Sequence, residues 1–148
     1  MTSIWEIKDD EYLYRNVYEK FHVKKGKLHW KAFEPPAVPP DRLRSNEIST
    51  LRPKFAIEEF VTYLGRQYSK GRDYAGFFRI SSNNINKRHP KMWVDSTPFG
   101  DVDLKVCLCS HADIRCDYPS EQEKAVPPEF LQILKELSRE AELCYYGA

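Results

Sequence analysis

Aromatic, aliphatic and polar side chains follow one another through Tyr12-Leu13-Tyr14-Arg15-Asn16-Val17-Tyr18, a pattern that predicts a strand. The acidic run Asp9-Asp10-Glu11 offers a competing helix start, but the density of β-favouring rings decides for the strand. Lys24-Lys25-Gly26-Lys27 predicts a polar turn centred on glycine. From Leu28 to Phe33 the alternation of Leu28, Trp30 and Ala32 against His29, Lys31 and Phe33 predicts a second strand. Pro35-Pro36 and Pro39-Pro40 then bracket Ala37-Val38, and neither a helix nor a sheet ladder accommodates two such pairs. Glu34 to Ser49 is therefore expected to be an extended surface loop.

Ile57, Phe60, Val61, Leu64 and Tyr68 recur at helical spacing. With Pro53 before them, acidic Glu58 and Glu59 at the start and Gly71 at the end, they predict an amphipathic helix. Ala75 to Ser81 reads as a buried strand, Asn83 to Pro90 as a polar loop and Met92 to Val94 as a short strand. Val102, Leu104, Val106 and Leu108 alternate with polar and cysteine positions up to Ser110, predicting another strand. After a turn at Asp117-Tyr118-Pro119, Pro127-Pro128-Glu129 opens a second helix, whose stripe is Phe130, Ile133, Leu134, Leu137, Ala141 and Cys144. The order β-β-α-β-β-β-α predicts an α+β domain over residues 1–148. Its sheet would be small, mixed or antiparallel, with four to five strands and both amphipathic helices on one face.

A chain of 148 residues, 41% hydrophobic and 30% charged, has the balance of one globular domain. No apolar run reaches the roughly 20 residues of a membrane span, and Met1 to Glu11 has no apolar stretch of signal-peptide length. The expected location is cytoplasmic, with no membrane contact. The net charge of +1 hides an asymmetry, +6 over residues 1–100 and −5 over 101–148. The basic residues are scattered, so an acidic C-terminal part packed beside a basic body explains the asymmetry better than one phosphate-binding face.

Cys107, Cys109, His111 and Cys116 offer three thiols and an imidazole within ten positions. Their spacing is not that of common tetrahedral zinc modules, and buried reduced thiols are the simpler expectation. No metal and no cofactor is expected. Asp95, Asp101 and Asp103 surround a turn where carboxylates are ordinarily solvated. Phosphate loops, dinucleotide fingerprints and nucleophile elbows are all missing from the sequence.

Arg15, Asn16 and His22 resemble the Arg-polar-(x)-His spacing of HEPN ribonucleases, an all-helical class at odds with the strands expected here. Tyr12-Leu13-Tyr14-Arg15 resembles the first strand of mono-ADP-ribosyltransferases. That resemblance implies an enzyme of nucleotide or RNA chemistry in which Arg15 works with a carboxylate such as Glu123 or Glu142. The preferred reading is an interaction module binding a protein partner through residues 24–49. Lys24, Lys25, Trp30, Phe33, Arg42 and Arg44 supply its contact residues, the cation and ring types common at interface hot spots. The same mixture of cations and rings also suits single-stranded nucleic acid. Oligomeric state has no signature in the sequence.

Overall fold

The computed structural model describes residues 6–8, 10–35, 37–38, 43–44, 47–101, 106–108, 110–117 and 126–146. In chain order the elements begin with β1 (Tyr12–Tyr18), β2 (Val23–Lys24), β3 (Lys27–Leu28) and a 3-10 helix (Trp30–Phe33). β4 (Ala37–Val38), β5 (Leu43–Arg44), β6 (Glu47–Leu51), α1 (Glu58–Gln67), β7 (Tyr74–Ser81) and α2 (Ser82–Asn86) follow. The chain closes with β8 (Met92–Ser96), β9 (Phe99–Asp101), β10 (Val106–Leu108), β11 (His111–Cys116), α3 (Pro128–Glu140) and β12 (Glu142–Tyr145). No helix among the described residues is long and apolar enough to cross a membrane.

The fold is α+β. One six-stranded sheet runs in the order β12-β7-β1-β6-β11-β8, and every neighbouring pair in it is antiparallel. The pairs β2-β3, β4-β5 and β9-β10 form small separate ladders, so Ala37-Val38 pairs with Leu43-Arg44 despite the flanking prolines that were expected to exclude any ladder. The period-two pattern of β1 sorts its side chains between two cores. Leu13 and Val17 pack with Phe33, Phe78, Ile80, Phe130, Leu134 and Leu137, which puts α3 and the 3-10 helix on one face. Tyr14 packs with Leu51, Ala56, Val61, Leu64 and Phe77, which puts α1 on the other.

The helices therefore lie on opposite faces, not on one as the element order implied. Helix periodicity identifies an apolar stripe but carries no information about which side of the sheet covers it. The sheet is also larger than expected. Glu47–Leu51, whose first three residues fall in the surface loop expected over Glu34 to Ser49, is a central strand in which Ile48 is fully buried and Thr50 nearly so. His111–Cys116, to which the pattern assigned no element, is its neighbour, paired with it from His111↔Leu51 to Arg115↔Glu47.

Local chemistry explains further departures. The strand expected over 28–33 stops at Leu28, because His29 caps the 3-10 helix by accepting the Lys31 N–H at 3.2 Å. That helical turn brings the consecutive residues Ala32 and Phe33 into the core together, which a strand would not do. Ser81 likewise caps α2 inside the expected loop, and the helix buries Ile85. The second stripe is two elements: α3 ends at Glu140, and Cys144 belongs to edge strand β12. Of the strand expected over 102–110, Val106–Leu108 forms a ladder with Phe99–Asp101. The rest of that expectation, apart from Ser110, lies outside the described residues.

Candidate functional site

The sheet splits near its middle. β1 pairs with β7 along its whole length and β6 pairs with β11 at five positions, but β1 and β6 share only the register pair Tyr14↔Leu51. Beyond that pair the strands separate, and a cleft of about 410 Å³ opens there, within the roughly 300–1,000 Å³ range of small-molecule sites. β1 lines it with Arg15 and Tyr18, β6 with Ser49 and Leu51, and the end of α1 with Leu64 and Tyr68. The turn after α1 adds Lys70 and Arg72, the turn after β1 adds His22, and β11 adds His111.

Arg15 sits where the strands part. Its Nε donates to the Ala32 carbonyl at 3.1 Å and its Nη1 to the Ser49 carbonyl at 2.6 Å, so the guanidinium bridges from the 3-10 helix to β6. It is half-buried, and desolvation together with the like charge of Arg72 lowers its pKa to about 10. It remains a cation at neutral pH, and no carboxylate among the described residues pairs with it.

Arg52 shows the contrasting arrangement. This fully buried guanidinium receives a bidentate carboxylate, with Nε and Nη2 donating to Glu11 at 2.9 and 2.8 Å. Arg88 and Arg115 likewise meet Glu or Asp side chains. In the cleft the pattern is reversed. Arg72 donates from Nε to the Ser69 carbonyl at 2.8 Å and from Nη2 to the Tyr68 carbonyl at 3.1 Å, and it lies 4.0 Å above the Tyr18 ring. The described lining holds Arg15, Lys70 and Arg72 but no Asp or Glu.

Hydrogen bonds to α1 hold the cleft wall in place. Tyr18 donates its hydroxyl to the Gly65 carbonyl at 2.6 Å. Asn16 donates to the Val61 carbonyl at 2.9 Å and accepts from the Tyr74 hydroxyl at 2.7 Å. His22 accepts the Tyr18 N–H on Nδ1 at 3.2 Å, so its neutral ring carries the proton on Nε2. Burial first, then the charges of Arg15 and Arg72, lowers the His22 pKa to about 3, which keeps the ring neutral at physiological pH. At the other end, His111 Nδ1 lies 2.8 Å from the Thr97 hydroxyl and 3.0 Å from its carbonyl. Its Nε2 stands 3.8 Å from Asp113. Burial lowers the His111 pKa and raises that of Asp113, so each is pushed toward its neutral form.

The residues singled out in the sequence are dispersed. Lys24 and Lys25 are exposed at the tip of the β2-β3 hairpin, where Lys25 and Gly26 take φ values of 55° and 72°. Trp30 is half-buried against the core, and Phe33 is fully buried 4.4 Å from the Phe78 ring, which removes it from any contact surface. Arg42 lies outside the described residues, as does the side chain of Arg44. Arg15 and His22 meet in one cleft, but within an antiparallel sheet, not an all-helical fold. Glu142 pairs with Arg79 at 2.8 Å and does not line the cleft, and Glu123 is outside the described residues.

Cys116 and His111 point to opposite faces of β11. Cys116 packs in the α3-side core with Ala112 and Ile114, its thiol pushed up to about 12 by burial. Cys109 and the side chain of Cys107 are outside the described residues. Among the described residues no group of three or more His, Cys, Asp or Glu is arranged to hold a metal ion. Of the acidic turn, Asp95 pairs with Arg115 at 3.2 Å.

Lys70 and Arg72 escaped the sequence reading because cations just past a helix end are ordinary complements to its dipole. Comparison with known proteins leaves the site to its geometry: no family model, no curated protein and no solved structure matches the chain.

Proposed function

We propose that the chain binds a phosphate-bearing ligand in the cleft between β1 and β6. The observation that carries this reading is a lining with Arg15, Lys70 and Arg72 and no carboxylate among its described residues. A desolvated cation without a counter-charge is costly, and a bound anion offsets that cost through charge-assisted hydrogen bonds. The neutral His22 adds an Nε2–H donor that does not repel the surrounding cations. Phosphate suits the set better than a carboxylate, since its oxygens accept from guanidinium, ammonium and imidazole at once.

The test is calorimetric titration with inorganic phosphate and pyrophosphate. Saturable binding is expected, weakening as salt rises. Arg72→Ala should reduce affinity by roughly tenfold or more, the worth of a hydrogen bond to a charged group. Absence of saturable binding to both anions, or binding unchanged in Lys70→Ala/Arg72→Ala, would overturn the reading.

A protein contact through the β2-β3 hairpin is a second proposal, favoured by the exposure of Lys24, Lys25 and Lys27 at its tip. Lys24→Glu/Lys25→Glu should abolish capture of an acidic protein partner. Unchanged capture would remove this surface from consideration.

A further inference from the structure

Among the described phenylalanines only Phe21 is exposed, with 51% of its surface accessible, whereas Phe33, Phe77 and Phe78 are at 1% or less. It sits in the turn between Tyr18 and His22, beside the cationic cleft. The Arg72 guanidinium lies 4.0 Å from the Tyr18 ring centroid and 5.9 Å from that of Phe21. A charged plane is thus held against one aromatic ring and next to another, with the outer ring open to solvent. Tyr68 also lines the cleft and keeps 37% of its surface accessible. Cations in the lining with exposed rings beside them match a ligand with an anionic end and a planar end.

We propose that the ligand is a nucleoside phosphate, its phosphate among Arg15, Lys70 and Arg72 and its base on Phe21 or Tyr68. This rests on the reading of the cleft as an anion site and adds the chemistry of the rest of the ligand. Stacking on an aromatic ring is indifferent to base identity, because every base has a π-face. Purine and pyrimidine nucleotides are therefore both accommodated. The same chemistry occurs in a free mononucleotide and in the 5′-phosphorylated end of a strand.

The test compares adenosine 5′-monophosphate, uridine 5′-monophosphate, ribose 5-phosphate and a short 5′-phosphorylated oligonucleotide by calorimetry on the full chain. Both mononucleotides should bind at least about tenfold more tightly than ribose 5-phosphate, the contribution of one stacked base. Phe21→Ala/Tyr68→Ala should erase that difference, and Phe21→Trp/Tyr68→Trp should restore it. An oligonucleotide that outcompetes the mononucleotides assigns the strand end as the source, and the reverse order assigns the free nucleotide. Equal affinity for mononucleotide and ribose 5-phosphate would overturn the nucleotide assignment and leave the anion site standing. Binding of none of them, and of no pyrophosphate, would bring down both. A double Ala variant that keeps the full preference for nucleotides would also refute the placement of the base.

Discussion

Replacing Gly65 by Ala sets two effects against each other. Within a helix, Ala is favoured over Gly by roughly 1 kcal/mol, so α1 alone would gain. A Cβ at this position, however, would stand 2.3 Å from Tyr74 Cε1 and 2.6 Å from both Cγ and Oδ1 of Asn16. Neither neighbour is a free chain end. Asn16 is bonded to the Val61 carbonyl and the Tyr74 hydroxyl, and Tyr18 is anchored on the Gly65 carbonyl itself. Relief requires α1 to move off the sheet or the Asn16–Tyr74 pair to break. Overpacking of this kind costs about 1–3 kcal/mol, and each lost hydrogen bond adds about 1 kcal/mol. With one hydrogen bond lost and the helix gain subtracted, the net loss is about 1–3 kcal/mol. For a chain of this size that corresponds to a melting temperature lowered by roughly 2–12 °C. Denaturant unfolding followed by tryptophan fluorescence, with a thermal scan, measures it. A melting temperature equal to or above that of the parent would mean that propensity won, and that α1 does not press on Asn16 and Tyr74 as described.

Further outcomes follow from the two cores and the buried charges. Leu137→Ala and Leu64→Ala, one on each face of the sheet, should each cost about 2–5 kcal/mol in denaturant unfolding. A loss confined to one of them would leave the other helix face unpacked. The His22 pKa is depressed to about 3 in the folded chain, below the unfolded value of about 6.5. Its contribution to stability is therefore complete above about pH 6.5 and is lost as pH falls toward 3, by at most about 1.4 kcal/mol per pH unit. His22→Gln should flatten the acid limb of a stability–pH profile, and an unchanged slope would contradict this assignment. Glu11→Gln removes the carboxylate charge that sits on the buried Arg52 and should cost roughly 3 kcal/mol. That is far more than Glu142→Gln in the exposed Arg79 pair, and equal losses would refute the distinction.

Strong local patterns were enough to specify β1, the turn at Gly26, α1, β7 and the start of α3. Each of these has its period, cap or breaker within a few residues, so the information is local. Arg15 and His22 also stood out from the sequence, though only tertiary structure placed them at one cleft. Glu47–Leu51 was not legible as a strand. Its burial depends on β11, some sixty residues away, and the prolines ahead of it signalled a loop. The side of the sheet on which each helix lies is likewise a non-local matter, because a stripe of leucines fits either face. The cleft is the least local feature of all. It exists because β1 and β6 meet at one register pair and then part, which leaves Arg15 bonded to backbone carbonyls while Lys70 and Arg72 arrive from beyond α1. Composition determined that the chain has enough apolar side chains for a core. Only the folded arrangement decided which of its scattered cations would have no carboxylate beside them among the described residues, because pairing depends on where distant segments come to rest.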